Sequence, residues 1–251
     1  MDEGLVRRKS KARAGQPPGR KRLVEEALAL ISRFATVALL GIAFFLLGDT
    51  VVEDGRQRLD VRLALAVHNH LGSVWTRPML WATTAASAQV VVPLMLALCG
   101  WLAFRRRRYD AGLIAAAWIG GQILHVSLKL VYQRPRPSLF PPLSHASGYS
   151  FPSGHTVTAV MTYGLIAAVI GPMLPRALRW APIAIASVMV ALVGLSRVYL
   201  GVLYPTDVLG SVLIAGAWLR VALLSTDHLK RRRTLRQELE SIPVKPETLR
   251  P

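Results

Sequence analysis

The stretch PSGHTVTAVMTYGLIAAVIGPML, residues 152–174, decides the fold, because a polar turn runs directly into an apolar segment of membrane-spanning length. Five other apolar blocks lie along the chain. The six blocks are Phe34–Gly48, Pro78–Phe104, Ala111–Tyr132, Thr156–Leu174, Ala177–Leu195 and Val208–Leu224. One such block fits a buried helix of a soluble protein, but six in series predict an all-α polytopic membrane protein with a bundle of six transmembrane helices.

The distribution of basic residues predicts which ends of the spans face the cytoplasm. The chain of 251 residues carries a net charge of +17, and 22 of its 31 Lys and Arg residues fall on one side of a six-span arrangement. Cytoplasmic loops carry such an excess, so we expect a multi-pass cell-membrane protein with both termini in the cytoplasm. The basic clusters fit contact with anionic membrane lipids better than nucleic-acid binding.

The two ends of the chain are predicted to lie outside the membrane domain. Residues 1–30 are rich in Arg, Lys, Gly and Pro and are expected to be a basic, largely disordered cytoplasmic segment. Residues 31–225 form the predicted six-helix domain, and residues 226–251 form a basic cytoplasmic tail.

The loop after the first span, residues 49–77, contains a predicted helix and two histidines. Apolar residues recur at helical spacing from Leu59 to Val67, which indicates a short amphipathic helix at the membrane surface. His68 and His70 are two positions apart and do not share a helix face. They are therefore expected to be surface histidines, and no metal site is predicted.

A first polar stretch follows the third span. His125 and Lys129 lie four positions apart, so a helix places them on one face. A charge in a span usually faces the bundle interior and marks a site, although a lysine near the end of a span also snorkels to the interface. Arg136 lies between Pro135 and Pro137, which stiffen the backbone. Its guanidinium is either a solvated loop charge or a bidentate ligand for phosphate oxygens.

A second polar stretch opens the fourth span. Free backbone N–H groups at a helix N-terminus form an anion site, and Gly154 lets the backbone approach a ligand closely. Ser153 is suited to cap the helix and to donate to a phosphate oxygen. His155 is suited to donate a proton to a leaving oxygen. A helix cap followed by a surface histidine is the simpler interpretation of these residues.

A third polar stretch joins the last two spans. Ser196 and Arg197 end the fifth span, and Asp207 lies in the first turn of the sixth. An aspartate there stabilises the helix dipole by about 0.3–1 kcal/mol. Alternatively, its carboxylate orients a neighbouring imidazole, as in a catalytic triad.

Together, the three stretches resemble the type-2 phosphatidic acid phosphatase and vanadium haloperoxidase superfamily, whose pattern is Lys-x6-Arg-Pro, then Pro-Ser-Gly-His, then Ser-Arg-x5-His-x3-Asp. The resemblance implies a membrane phosphatase that acts on lipid phosphates or diphosphates without a metal or other cofactor. Because the basic residues put the three stretches on the extracytoplasmic side, we expect the phosphate pocket at that end of the bundle. The resemblance also implies that His155 protonates the leaving oxygen and that Asp207 orients a nucleophilic histidine. The implied phosphate ligands are Lys129, Arg136, Ser153, Gly154 and Arg197.

The chain departs from that pattern at one position: Leu203 occupies the place of the family's nucleophilic histidine. Leucine has no lone pair and cannot form a phosphoenzyme, and loss of a nucleophile lowers rates by up to about 10⁶-fold. Three substitutes are open: His145 in the same external region, Tyr204 beside the gap, or direct attack by water with Asp207 as base.

Three functions therefore remain open from the sequence. The first is a phosphatase acting on polyprenyl diphosphate, phosphatidylglycerol phosphate or phosphatidate. The second, motivated by Leu203, is a protein that binds a lipid phosphate on the same scaffold without turnover. The third is a six-span transporter, for which the few polar residues at mid-span are Gln89, Gln122 and Thr162.

Overall fold

The computed structural model describes residues 20–52 and 57–240. Most of the predicted disordered leader, residues 1–19, and the end of the predicted tail, residues 241–251, lie outside the described residues. The chain divides into two units, Met1–Leu39 and Leu40–Pro251. Within the described residues, the first unit holds the beginning of the first helix and the second holds all later elements.

Eight α-helices are found in the described residues, and two short 3₁₀ turns, Ser73–Trp75 and Gly171–Met173, join some of them. The helices are α1 (Arg20–Val52), α2 (Gln57–Leu71), α3 (Thr76–Thr84), α4 (Ala88–Phe104), α5 (Arg108–Tyr132), α6 (Gly154–Ile170), α7 (Ala181–Tyr199) and α8 (Pro205–Glu240).

Six helical segments of the described chain are long and apolar enough to cross a membrane, which confirms the predicted all-α, six-span class. They are Phe34–Val51, Ser73–Phe104, Arg108–Tyr132, Gly154–Met173, Ala181–Tyr199 and Pro205–Lys230. Each segment overlaps one of the apolar blocks in the sequence. The first segment continues past Gly48 to Val51, because the polar pair Asp49–Thr50 does not end the helix.

The second span is interrupted, which its apolar sequence does not reveal. α3 ends at Thr84, and α4 begins after Ser87, whose backbone is extended (φ −75°, ψ 154°). Tyr163 Oη of α6 donates to the carbonyl of Ala85 at 2.7 Å, which satisfies one backbone group freed by the break. The break brings residues 86–88 to the wall of a cavity between the helices.

α6 is the central helix of the bundle. Half of the residues in its apolar segment are buried, whereas at most 33% of the residues are buried in each of the other five candidate spans. It contacts α4, α5, α7 and α8. Two polar pairs join it to α5: Trp118 Nε1 donates to Thr162 Oγ1 at 2.9 Å, and Thr158 Oγ1 donates to Gln122 Oε1 at 3.0 Å. Two of the three polar residues that a transporter pathway would use are thus engaged between helices.

α2 is present where a helix was predicted, but His68 is not the surface residue that was expected. The His68 ring is half-buried and stacks on Phe140, with ring centroids 3.8 Å apart. Its Nδ1 lies 3.1 Å from the carbonyl oxygen of Tyr199. The prediction of a surface residue was wrong because the spacing of His68 and His70 shows only their relation to each other. The contact of His68 with Phe140, 72 positions away, has no local signal in the sequence. His70 is exposed, as expected.

Candidate active site

A cavity of about 430 Å³ lies where α5 and α7 end, α6 begins and the second span is broken. Seven of the eight positions singled out in the sequence line its wall: Lys129, Arg136, Ser153, Gly154, His155, Arg197 and Leu203. Asp207 does not line it. Residues that are far apart in sequence thus converge on one chamber, as a common ligand requires.

Lys129 and Arg197 reach the cavity with only neutral partners. Lys129 Nζ donates to the carbonyl of Tyr149 at 3.0 Å. Arg197 Nη1 donates to Thr83 Oγ1 at 3.0 Å and to Ser144 Oγ at 3.3 Å, while its Nε is buried without a partner. Carbonyl and hydroxyl acceptors hold each side chain in place without neutralising its charge. Both cations therefore remain available to bind an anion.

Arg136 also faces the cavity but holds a loop. Its Nε, Nη1 and Nη2 donate to the carbonyls of Gly148 at 2.9 Å, Val202 at 2.8 Å and Ser147 at 2.7 Å. Gly148 has φ 69°, a conformation that favours glycine. Burial lowers the pKa of the Arg136 guanidinium and Asp207 offsets part of that effect, but an arginine stays protonated in proteins. The guanidinium therefore keeps its charge while fixing the loop.

No carboxylate forms an ion pair with any of these three cations in the described part of the chain. The two nearby acids are both bonded to another residue, Arg134, whose Nη1 donates to Asp207 Oδ1 at 2.6 Å and whose Nη2 donates to Asp60 Oδ2 at 2.7 Å. The cavity therefore keeps an excess of positive charge. In this low-dielectric setting the excess attracts a doubly charged phosphate strongly.

The start of α6 forms a further wall. Ser153 is the N-cap, and its Oγ accepts from the Thr156 N–H at 3.2 Å and from Thr156 Oγ1 at 2.9 Å. The Ser153 hydroxyl hydrogen remains free to donate, so capping and phosphate binding are compatible in one side chain. The backbone N–H groups of Gly154 and His155 have no acceptor among the described residues and suit an anion.

His125 lines the same cavity and packs against the start of α6. A Cβ at Gly154 would lie 2.9 Å from His125 Nε2, so only glycine leaves room there. His125 Nδ1, Gln122 Nε2 and Ser87 Oγ are buried atoms without a protein partner, and their residues line the cavity. Buried polar groups are normally paired, so these three atoms are open to hydrogen bonds with a polar group in the cavity.

Asp207 lies behind the cavity wall and is fully buried (0% exposed). Besides the bond to Arg134, its Oδ2 accepts from the Tyr204 N–H at 2.8 Å. Burial acts to lower the pKa of the Arg134 guanidinium, but Asp207 and Asp60 outweigh it and raise that pKa. The carboxylate thus neutralises an arginine and caps the start of α8.

Arg134 and Asp60 were not singled out from the sequence. Arg134 lies in the loop after α5, two residues before Arg136, and each of these two arginines is followed by a proline. The two Arg-Pro pairs mark both arginines as candidates, but they do not show that Arg134 is buried with the acids while Arg136 lines the cavity. Asp60 is 74 positions from Arg134, and nothing local marks it as a partner.

Leu203 is 3% exposed and belongs to a buried apolar cluster with Met79, Tyr199, Leu200 and Val202. The part of its surface that lines the cavity offers neither a lone pair nor a proton. The wall at this position is therefore chemically inert.

Comparisons with known proteins agree on one family. The family model described as the PAP2 superfamily matches residues 110–231. Phosphatidylglycerophosphatase B of Bacillus subtilis (strain 168) is 37% identical over 130 residues, which are 51% of this chain and 64% of that protein. Undecaprenyl-diphosphatase BcrC of the same organism is 32% identical over 158 residues, 60% of this chain and 75% of that protein.

Two crystal structures are similar to this fold. A transmembrane PAP2-type phosphatidylglycerolphosphate phosphatase from Bacillus subtilis has a TM-score of 0.70 and 29% sequence identity, covering 78% of this chain and 96% of that chain. Aquifex aeolicus LpxE has a TM-score of 0.52 and 25% identity, covering 66% of this chain and 94% of that chain.

Proposed function

Since this chain belongs to the PAP2 superfamily, we propose that it is an integral membrane phosphatase that removes phosphate from a lipid phosphate or diphosphate. The observation that carries the proposal is the convergence of Lys129, Arg136 and Arg197, without carboxylate partners, on the cavity that also contains His155. A phosphate monoester or terminal diphosphate is the ligand whose charge and oxygens match that wall.

The reaction follows from the placement of the groups. The three cations, the Ser153 hydroxyl and the N–H groups at the start of α6 hold the phosphoryl oxygens and stabilise the charge of the transition state. His155, on the same helix start, acts in its protonated imidazolium form and donates a proton to the lipid oxygen as the phosphorus–oxygen bond breaks. The steps need no metal from the protein, because fixed cations supply the electrostatic stabilisation.

The substrate is proposed to be a membrane lipid. The similar proteins are named for phosphatidylglycerol phosphate and undecaprenyl diphosphate, and those substrates and phosphatidate are the candidates for this chain. The cavity is lined by residues of four of the six segments that are long and apolar enough to span a membrane. A phosphate head can enter such a cavity from the interface while the lipid chains remain in the bilayer.

We further propose that the cavity opens on the extracytoplasmic side and that both termini are cytoplasmic. The support is the placement of 22 of the 31 Lys and Arg residues on the opposite side of the six-span arrangement. In this arrangement, residues 31–225 carry the catalytic domain, while residues 1–30 and 226–251 are cytoplasmic extensions.

Phosphate release by the purified protein in detergent tests the function. Phosphatidylglycerol phosphate, phosphatidate and undecaprenyl diphosphate are the substrates, with His155→Ala and Leu203→His measured in parallel. Release from the native protein that falls by about 10²–10⁴-fold in His155→Ala supports the proposal, as expected for loss of a general acid. His70→Ala is the matched control, because His70 is exposed and does not line the cavity.

Leu203→His separates turnover from binding. If the native protein releases no phosphate and Leu203→His does, the native cavity binds lipid phosphate without hydrolysing it. That result would reject the proposed activity and leave the phosphate-binding site in place.

A further inference from the structure

On the basis of the proposed phosphatase activity, we infer that His145 is the nucleophile of this chain and takes the place of the imidazole that Leu203 cannot supply. His145 lies in the loop between α5 and α6, and it lines the same cavity as Lys129 and Arg197. Its side chain is exposed, and neither ring nitrogen is bonded to another group in the part of the chain that the structure describes. An imidazole without a bonding partner, in the cavity that three cations without carboxylate partners also line, is available for attack on a phosphorus that they hold.

The loop contacts attach His145 to the wall that contains Leu203. On one side of it, Ser144 Oγ accepts from Arg197 Nη1 at 3.3 Å. On the other, Ala146 packs against the buried cluster that includes Leu203. His145 therefore lies between two residues that attach the loop to the elements lining the cavity beside Leu203.

Arg136 fixes the rest of this loop to the same wall. It donates to the carbonyls of Ser147 at 2.7 Å and Gly148 at 2.9 Å, and also to that of Val202, beside Leu203, at 2.8 Å. The Leu143 N–H donates to the carbonyl of Leu200 at 3.0 Å. An otherwise exposed histidine is thus held between two anchored backbone segments, which limits the entropy lost when it aligns with substrate.

The arrangement places the two histidines on different walls. His155 lies at the start of α6, whereas His145 lies on the loop fixed to Val202 and Leu203. Phosphoryl transfer needs the attacking and leaving atoms roughly in line with phosphorus. A proton donor and a nucleophile carried by separate elements around one cavity are compatible with that requirement.

The other nucleophile candidates on the cavity wall are less suitable. His125 Nε2 lies against Gly154, and His125 Nδ1 is buried. Lys129 is a cation whose ammonium donates to Tyr149. The Ser153 hydroxyl already accepts two bonds from Thr156 as the helix cap.

The remaining alternatives from the sequence lie behind the wall. Tyr204 does not line the cavity. The Arg134 guanidinium lies over its ring, with Cζ 4.2 Å from the ring centroid, and burial raises the pKa of the Tyr204 phenol. Asp207 is bonded to Arg134 and to the Tyr204 N–H, so it is not free to act as the base for an attacking water.

The covalent step balances as follows. A neutral nitrogen of His145 forms a bond to phosphorus, the bond from phosphorus to the lipid oxygen breaks, and that oxygen takes the proton from His155. Water then attacks phosphorus and gives a proton to His155, the nitrogen–phosphorus bond breaks, and inorganic phosphate leaves. Lipid phosphate and water are thereby converted into dephosphorylated lipid and phosphate.

The test uses the full-length protein in detergent with ³²P-labelled phosphatidylglycerol phosphate, phosphatidate and undecaprenyl diphosphate in parallel, and measures phosphate release and labelling of the protein. We expect His145→Ala to lower release by at least about 10³-fold, because the nucleophile is lost. An alkali-stable, acid-labile label, as a phosphohistidine gives, is expected on the native protein at His145. His70→Ala is the control and is expected to match the native protein.

Retained binding shows that His145→Ala is folded: orthophosphate should raise its unfolding temperature as it does that of the native protein. Release by His145→Ala within about tenfold of the native rate, or a label at another residue, overturns the assignment and leaves the proposed phosphatase intact. No release from the native protein refutes the proposed function and this assignment together. A loss confined to His145→Ala, with the control active, supports both.

Discussion

Arg134 and Asp207 form a fully enclosed ion pair, with Nη1 and Oδ1 2.6 Å apart and side-chain exposures of 2% and 0%. Asp60 completes the pair as a triad, with its Oδ2 2.7 Å from Arg134 Nη2. The triad connects α2, the loop after α5 and the start of α8. Both carboxylates are thus engaged by Arg134 and, within the described residues, form no ion pair with Lys129, Arg136 or Arg197, so this buried cluster helps to determine the charge of the cavity.

Replacing Arg134 with Met is expected to destabilise the protein by about 3–5 kcal/mol, because it leaves two buried carboxylates without their cation. Thermal unfolding in detergent, followed by circular dichroism, measures the loss. Arg107→Met is the matched control: Arg107 pairs with Asp110 at 2.6 Å, but its side chain is 47% exposed, and such surface pairs contribute about 0–1 kcal/mol. Equal losses of unfolding free energy in the two variants would show that the buried triad stabilises the protein no more than a surface ion pair does.

Arg197→Lys is expected to lower kcat/KM by about 10²-fold, comparable to losing one oxyanion donor. Lysine keeps the charge but lacks the planar guanidinium. In the native protein, Nη1 of that group donates to Thr83 and Ser144, while its Nε has no acceptor in the described chain. Phosphate release and the rise in unfolding temperature with orthophosphate both report the effect. Arg105→Lys, at an exposed residue outside the cavity, is the control. An unchanged kcat/KM in Arg197→Lys would mean that only the charge at this position matters.

Gly154→Ala is expected to lower kcat by about 10²-fold, because a displacement of about 1 Å at the start of α6 misaligns the reacting groups. The new methyl would lie 2.9 Å from His125 Nε2 and 3.4 Å from its Cδ2. Steady-state phosphate release measures the effect. Gly100→Ala is the control, since a Cβ there meets nothing within 4 Å.

A double variant identifies the cause of that loss. If the clash with His125 is responsible, His125→Ala plus Gly154→Ala should be no slower than His125→Ala alone. Additive losses in the double variant would instead show that Gly154 matters for its backbone conformation.

The sequence predicted the parts of this molecule that depend on local pattern. Six apolar blocks gave six spans, because a span is specified by about twenty consecutive residues. Lys129, Ser153 and Arg197 were assigned to a common site by their match to the family pattern, and each lies at the end of a predicted span on the same side of the membrane.

The parts that sequence could not predict depend on contacts between distant residues. Asp207 lies 73 positions from Arg134. Interaction with the helix dipole already explained an aspartate in the first turn of a helix, so the sequence did not call for a buried arginine partner. The break after Thr84 contains no proline or glycine to mark it. It is stabilised from outside the segment, by the bond from Tyr163.

The proposed orientation of the cavity predicts a labelling pattern that depends on one cysteine. Cys99 is the single cysteine of the chain, so Cys99→Ala gives a background without thiols. Ser138, exposed in the loop between α5 and α6, and Arg176, exposed between α6 and α7, lie at opposite ends of α6. With Ser138→Cys, a membrane-impermeant thiol reagent should label the protein in intact cells, because the basic loops are retained in the cytoplasm.

Arg176→Cys is the matched control and should be labelled only after the cells are permeabilised. The reverse pattern would place the phosphate-binding cations on the cytoplasmic side, where the substrate would have to be a lipid of the inner leaflet. Such a result would reject the orientation but not the chemistry, because the contacts of Lys129, Arg136 and Arg197 are internal to the bundle and independent of which side faces out.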